Sequence, residues 1–362
     1  MSRTFVRAAV IIAVAFGSTL VDALPARAAD PVVWRATMRV PWELGADAAG
    51  VVVVDQALGV RALDRDGREQ WTTSVDDILP GAPALDREVV LVGGETGVTA
   101  LARRDGAVQW HRPMGDDTYA VAVAGDTALA GDLSGTLTAF AIATGEVRWS
   151  VHFSGSLWSG PRVDPATGAV VASWHESGEP AVRALDPVTG AVRWQVPTGA
   201  CSAAPALHAG LVVLAVGDCR RHAWVEARDL RTGAQRWQTA VPASFEAAIE
   251  PAVDDREVAV VDHFGVVTLL DLATGRRHWQ HDLARALLQT RVTLTAGRVV
   301  FGAHSGEVFV LARRGGRVVA RLDVTRLGGY PVALLQAPWR GPARLLTALR
   351  SDAWRVDLRT IP

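Results

Sequence analysis

An eleven-residue phrase recurs along the chain and ends each time in tryptophan: AFAIATGEVRW (Ala139 to Trp149), ALDPVTGAVRW (Ala184 to Trp194) and ARDLRTGAQRW (Ala227 to Trp237). The terminal tryptophans fall at Trp71, Trp110, Trp149, Trp194, Trp237 and Trp279, at intervals of 39, 39, 45, 43 and 42 residues. A seventh copy, VLARRGGRVVA, carries Ala320 where the tryptophan should stand, 41 residues beyond Trp279, and Trp34 lies 37 residues before Trp71. Self-similarity at a period of about 40 residues describes one supersecondary unit repeated against its neighbours, since a unit of that size cannot bury its apolar face alone. A length of 362 residues would otherwise suggest two domains, but the repeat overrides that prior.

Each unit contains four short pieces. In the fifth they are Pro205-Ala206-Leu207, a valine-rich run from Leu211 to Val216, an alternating run from Ala223 to Leu230, and a last run ending at Trp237. Turn residues separate them at His208-Ala209-Gly210, Gly217-Asp218 and Thr232-Gly233, and no helical periodicity appears. Four strands in about 40 residues make one propeller blade. Within the phrase, glycine recurs at Gly67, Gly106, Gly145, Gly190, Gly233, Gly275 and Gly316, where the hairpin bend requires a positive φ that a Cβ would oppose.

Third strands centre on Leu63, Leu101, Phe140, Leu185, Arg228, Leu270, Leu311 and Val356. The eighth unit stops before a fourth strand, and the strand bearing Trp34 has no blade ahead of it. The expectation is an all-β, eight-bladed β-propeller of four-stranded antiparallel blades over residues 30–362, closed by the N-terminal strand, with seven blades as the alternative. Closure of this kind removes two exposed sheet edges.

Residues 1–28 read as a signal peptide. Arg3 and Arg7 precede an apolar run from Ala8 to Val21, and Ala26-Arg27-Ala28 supplies an A-x-A cleavage site. About 14 apolar residues are too few to span hydrocarbon, which takes about 20, so no transmembrane segment is expected after signal removal. Export by a Sec-type route to the periplasm or the extracellular space is the expected localisation. The formal net charge is −1, which argues against nucleic acid and acidic membrane surfaces as partners.

The phrase resembles the repeat of the quinoprotein-type, or PQQ-repeat, β-propellers, A-x-D-x-x-x-G-x-x-x-W, and the resemblance covers essentially the whole chain after the signal. It implies that each tryptophan, Trp34 included, packs between neighbouring blades against the Ala and Gly of an adjacent phrase. The sixth and seventh copies replace the leading Ala with Leu269 and Val310, enlargements read as compensation for a missing ring. Within the family the chain looks most like BamB, an outer-membrane assembly factor that binds partner protein through its loops. That likeness implies an exported, non-catalytic platform for a protein or peptide partner, expected as a monomer. BamB-type proteins usually carry a lipobox cysteine, and here no cysteine follows the apolar run, so lipid tethering is not expected.

The alternative is a compact PQQ-dependent dehydrogenase or another funnel-site enzyme. Propellers similar to quinoprotein alcohol dehydrogenases carry a vicinal Cys-Cys pair, a Ca²⁺ held by carboxylate and amide oxygens, and a carboxylate base. Cys201 and Cys219 are not adjacent; they are expected to form a disulfide within the fifth blade. The residues just before the Pro-led inner strands are Ala82, Gly160, Ala204, Glu250, Arg291 and Tyr330, which do not supply the six to eight oxygens that Ca²⁺ takes. No catalytic residue, metal site or cofactor is therefore expected, PQQ included, and Arg291 reads as largely answered by Glu250. His175, His222, His263 and His304 are spread one per blade, too far apart to share an ion at about 2 Å each; Asp116, Asp117 and Glu246 share that face. The candidate partner-binding residues are Trp158, Glu250, Arg291 and Tyr330.

Overall fold

The computed structural model describes residues 32–37, 41–55, 59–157, 159–175, 180–198, 201–202, 204–217, 223–241, 250–262, 265–283, 290–303, 307–323, 330–336, 344–350 and 355–360. These form eight antiparallel sheets, seven of four strands and one of five, and every described element is a strand. The first blade runs through Pro41–Ala46, Gly50–Asp55, Gly59–Asp64 and Glu69–Ser74 in simple meander order. Its second strand, GVVVVD, is buried at every position, as expected for a strand covered on both faces by neighbouring blades.

The first strands of successive blades touch one another in an unbroken cycle. It passes from Pro41–Ala46 through Ala84–Leu85, Ala120–Ala124, Arg162–Val163, Ala206–His208, Ala252–Val253 and Thr293–Leu294 to Tyr330–Gln336, which returns to Pro41–Ala46. These eight strands surround the central axis, and the tryptophan-bearing fourth strands face outward. The N-terminal strand Val32–Thr37 pairs antiparallel with Arg355–Thr360, with Trp34 opposite Leu358. It supplies the fourth strand of the last sheet, which otherwise holds only Tyr330–Gln336, Arg344–Arg350 and Arg355–Thr360. The ring is thus closed by a strand remote in sequence, and the blade count is eight.

Six of the repeat tryptophans clasp the next blade. Trp71 donates its indole N–H to the carbonyl of Arg103 at 2.9 Å, Trp110 to Ile142 at 2.8 Å and Trp149 to Pro187 at 2.9 Å. Trp194 donates to Leu230 at 2.8 Å, Trp237 to Leu272 at 2.8 Å and Trp279 to Arg313 at 2.7 Å. The acceptor lies just beyond the third strand of the following blade, where its carbonyl would otherwise lack a partner in a buried wedge. At two of these junctions the residue that accepts from the indole also reaches back with its own side chain. Arg103 turns its guanidinium back to Asp47 of the first blade at 2.9 Å, and Arg313 turns back to Asp254 and Glu257 of the sixth.

Three local expectations are corrected. The fourth strand does not end at its tryptophan: in Gln235–Val241 the ring is on the third residue and the strand runs on, because the residues beyond it keep pairing with the third strand. The inner strand of the fifth blade is split, with Cys201–Ser202 and Ala206–His208 both pairing with Leu211–Gly217, which makes this the five-stranded sheet. Val310 stands opposite Ala320, so there a larger residue does sit across from the lost ring. Leu269, however, stands opposite the retained Trp279 and offsets no missing ring within its blade; Trp279 is only partly buried against the cluster that contains Leu269.

Candidate functional site

Four of the inner strands, Ala84–Leu85, Arg162–Val163, Ala252–Val253 and Thr293–Leu294, are only two residues long. Charged residues within or just before such short strands lie at the blade ends that surround the axis.

Glu250 lies at the start of the sixth blade and is the hub of such a group. Arg162, on the inner strand of the fourth blade, donates from Nε to Glu250 Oε1 at 2.8 Å, with Nη2 2.5 Å from Oε2. Arg291, at the start of the seventh blade, places Nη1 3.3 Å from the same Oε2. The fourth and sixth blades are not neighbours. Arg162 reaches past the fifth blade, whose corresponding residues Ala204, Pro205 and Ala206 are small and buried. Glu43 of the first blade completes the group electrostatically, acting on both Arg291 and Glu250.

The charges respond to one another. Burial works to raise the Glu250 carboxyl, but Arg162 and then Arg291 outweigh it and hold the group below the ordinary carboxylate range. Glu250 and, more weakly, Glu43 keep Arg291 firmly protonated against the desolvation that opposes its charge. Glu43 is pushed up by burial and by Glu250, with Arg291 and the Leu44 backbone only partly compensating. Accessibility differs sharply across the group: the side chains of Arg162 and Glu250 are 22% and 20% exposed, whereas Arg291 is 54% exposed.

Of the candidate partner-binding residues, Glu250 and Arg291 are brought into contact. Tyr330 begins the inner strand of the eighth blade, paired with Arg350, and Trp158 lies outside the described residues. Glu250 does pair with Arg291 across the blade junction, at 3.3 Å, but it is shared: Arg162 approaches both of its oxygens more closely. Sequence reasoning missed Arg162 and Glu43. Gly160-Pro161-Arg162 contained the signal: in extended chain, residues two apart share a side, so the position two beyond Gly160 is as well placed as Gly160 itself to face the axis.

Cys201 is opposite Gly217, two residues before Cys219, which lies outside the described residues with His222, Glu246, His263 and His304. His175 is buried, forms a bridge with Ser156 and is pushed below its ordinary range by that burial. Asp117 is raised by desolvation, then by Asp116 and Glu95. Among the described residues no three His, Cys, Asp or Glu side chains are grouped to hold a metal ion, and no helix is long and apolar enough to cross a membrane. Trp174 is fully buried and donates to the carbonyl of Gly135 at 2.9 Å, which makes it a core residue.

Comparison with known proteins gives a consistent result. A family model described as outer membrane protein assembly factor BamB matches residues 19–173 and 178–330. A curated outer membrane protein assembly factor BamB from Burkholderia pseudomallei (strain K96243) is 26% identical over 291 residues, 74% of this chain and 72% of the relative. The protein of the same name from Bordetella pertussis (strain Tohama I / ATCC BAA-589 / NCTC 13251) is 27% identical over 279 residues, 71% of this chain and 68% of the relative. Among solved structures, BamB from Moraxella catarrhalis superposes with a TM-score of 0.75 at 19% identity, covering 92% of this chain and 98% of that one. A europium-containing methanol dehydrogenase superposes with a TM-score of 0.66 at 13% identity, covering 90% and 85%. At such identities the structural matches establish the propeller fold and nothing more.

Proposed function

This chain belongs to the family of the outer membrane protein assembly factor BamB, and from that membership we propose that it is an exported, non-catalytic propeller serving as an interaction platform for a protein or peptide. Residues 1–28 act as the export signal, and the propeller works as a monomer in the periplasm or outside the cell. The binding face is the axial end that carries Glu250 and Arg291, with Tyr330 at the start of the eighth inner strand and Trp158 kept as a candidate contact from the sequence. The observation that carries this assignment is the charged group around Glu250, in which one arginine is kept accessible and incompletely paired within an otherwise rigid ring. An accessible arginine supplies the kind of anchor on which interface energy concentrates.

The test is capture of partners from envelope extracts of the native host by wild type and Arg291→Glu. Charge reversal should reduce the recovery of specific partners while thermal unfolding and circular dichroism stay close to wild type. Equal recovery by the two proteins would remove this face from the proposal. Turnover is tested separately by adding PQQ and Ca²⁺ with simple alcohols or aldose sugars, where no dye reduction is expected.

A further inference from the structure

We propose that the axial mouth beside Arg291 is a receptor for a single carboxylate group, held on the part of the guanidinium that Glu250 leaves open. This inference rests on the reading of that face as the binding face and adds the chemistry of what enters it.

A guanidinium carries five N–H donors in a planar fork and is matched by the two oxygens of a carboxylate. Arg291 spends one nitrogen, Nη1, on a contact of 3.3 Å to Glu250. Arg162, by contrast, donates to the same carboxylate from Nε, keeps Nη2 in ion-pair contact with it, and donates to the Gly160 carbonyl from Nη1 at 2.9 Å. The two arginines therefore have different roles. Arg162 neutralises Glu250 and fixes it; Arg291 is left with an exposed edge, held charged by Glu250 and Glu43.

The surroundings select for charge as well as shape. Arg162 and Arg291 together balance Glu250 and Glu43, so the group carries no surplus positive charge with which to hold a dianion such as phosphate. A monoanion needs only that one edge. A carboxylate reaching this mouth can come from a free organic acid or from the terminus of a peptide chain, and the two are separable by experiment.

Calorimetric titration of the full-length folded protein should use three probes: N-acetyl-tetraalanine with a free C-terminus, the same peptide amidated, and N-acetylalanine. Both acids should bind and the amide should not. A tighter tetrapeptide assigns the site to chain termini, and equal affinities assign it to small acids; each result supports the receptor. Arg291→Gln should weaken acid binding by about 10- to 100-fold, the range for a charge-assisted contact. Glu43→Gln, which removes a neighbouring negative charge and does not touch the open edge, should tighten it. Equal binding of acid and amide, no binding of either acid, or an unchanged affinity in Arg291→Gln would overturn the inference. Partner capture by Arg291→Glu is read independently, so a platform that binds its partner without a carboxylate is distinguished from a face that binds nothing.

Discussion

Gly190 of the fourth blade lies against the indole of Trp149 of the third, so closely that a Cβ on the glycine would stand 2.6 Å from Cε3 of the ring. The glycine also has φ of +71°, so two separate constraints exclude a side chain there. The same pairing joins Gly145 to Trp110, Gly233 to Trp194 and Gly275 to Trp237. A repeat glycine is thus read twice, once by its own hairpin and once by the ring of the blade before it.

The two constraints can be separated by substitution. Gly125 has φ of +58°, and a methyl group on it would meet nothing within 4 Å, so Gly125→Ala should cost only the backbone term, about 1 kcal/mol. Gly190→Ala must in addition displace the Trp149 ring, and overpacking adds about 1–3 kcal/mol. Denaturant unfolding of the two variants should therefore show Gly190→Ala as clearly the more damaging. Equal losses would mean that the ring moves aside freely.

Ala209 is the one described non-glycine residue with positive φ, at 48°, and it is exposed in the turn before Gly210. Two-residue turns of this kind favour Asn-Gly. Ala209→Asn should stabilise the protein by about 0.5–1 kcal/mol, given that left-handed backbone costs about 1–2 kcal/mol for an ordinary residue. A melting temperature that stays level or falls would refute this.

Glu43 gives a pH signature. Its folded carboxyl sits above the ordinary value because burial disfavours the ion, so the folded protein binds that proton more tightly than the unfolded chain does. Ionisation of this group therefore costs stability above the folded value, and the cost disappears as pH falls below the unfolded one. Glu43→Gln should raise stability at neutral pH and make little difference in acid. Asp186 has the opposite sign: Arg193 and the Thr189 N–H draw it down to about 2, so its contribution is present above the unfolded value and is lost as pH falls from about 4 toward 2. Asp186→Asn should accordingly flatten the acid limb of the stability profile, and a profile unchanged by either substitution would count against both assignments.

Cys201 and Cys219 are expected to be bonded, with Cα atoms about 4.4–6.8 Å apart. A crosslink closing a loop of this size contributes about 3 kcal/mol in the chain-entropy picture. Thiol titration of unfolded, unreduced protein should find no free sulfhydryl; two free groups would show that the pair is not joined.

The architecture of this protein is written along the chain. The tryptophan interval sets the unit, the glycine in each phrase sets its hairpin, and the unpaired strand around Trp34 sets how the ring closes, since each is a local property repeated in the same form. Glu250 and Arg291 were legible as charges at matching positions of consecutive units. How those charges are shared was decided only when the ring had formed. Arg162 is 88 residues from Glu250 in sequence and reaches it because the ring curves back and the intervening fifth blade presents small residues. Glu43, almost at the start of the described chain, acts on Arg291 only once the last blade has returned to the first. Repetition reports what every unit must do to stack, but the balance of charge at a common axis depends on side chains from blades that are not neighbours, and a linear period carries no information about that distance.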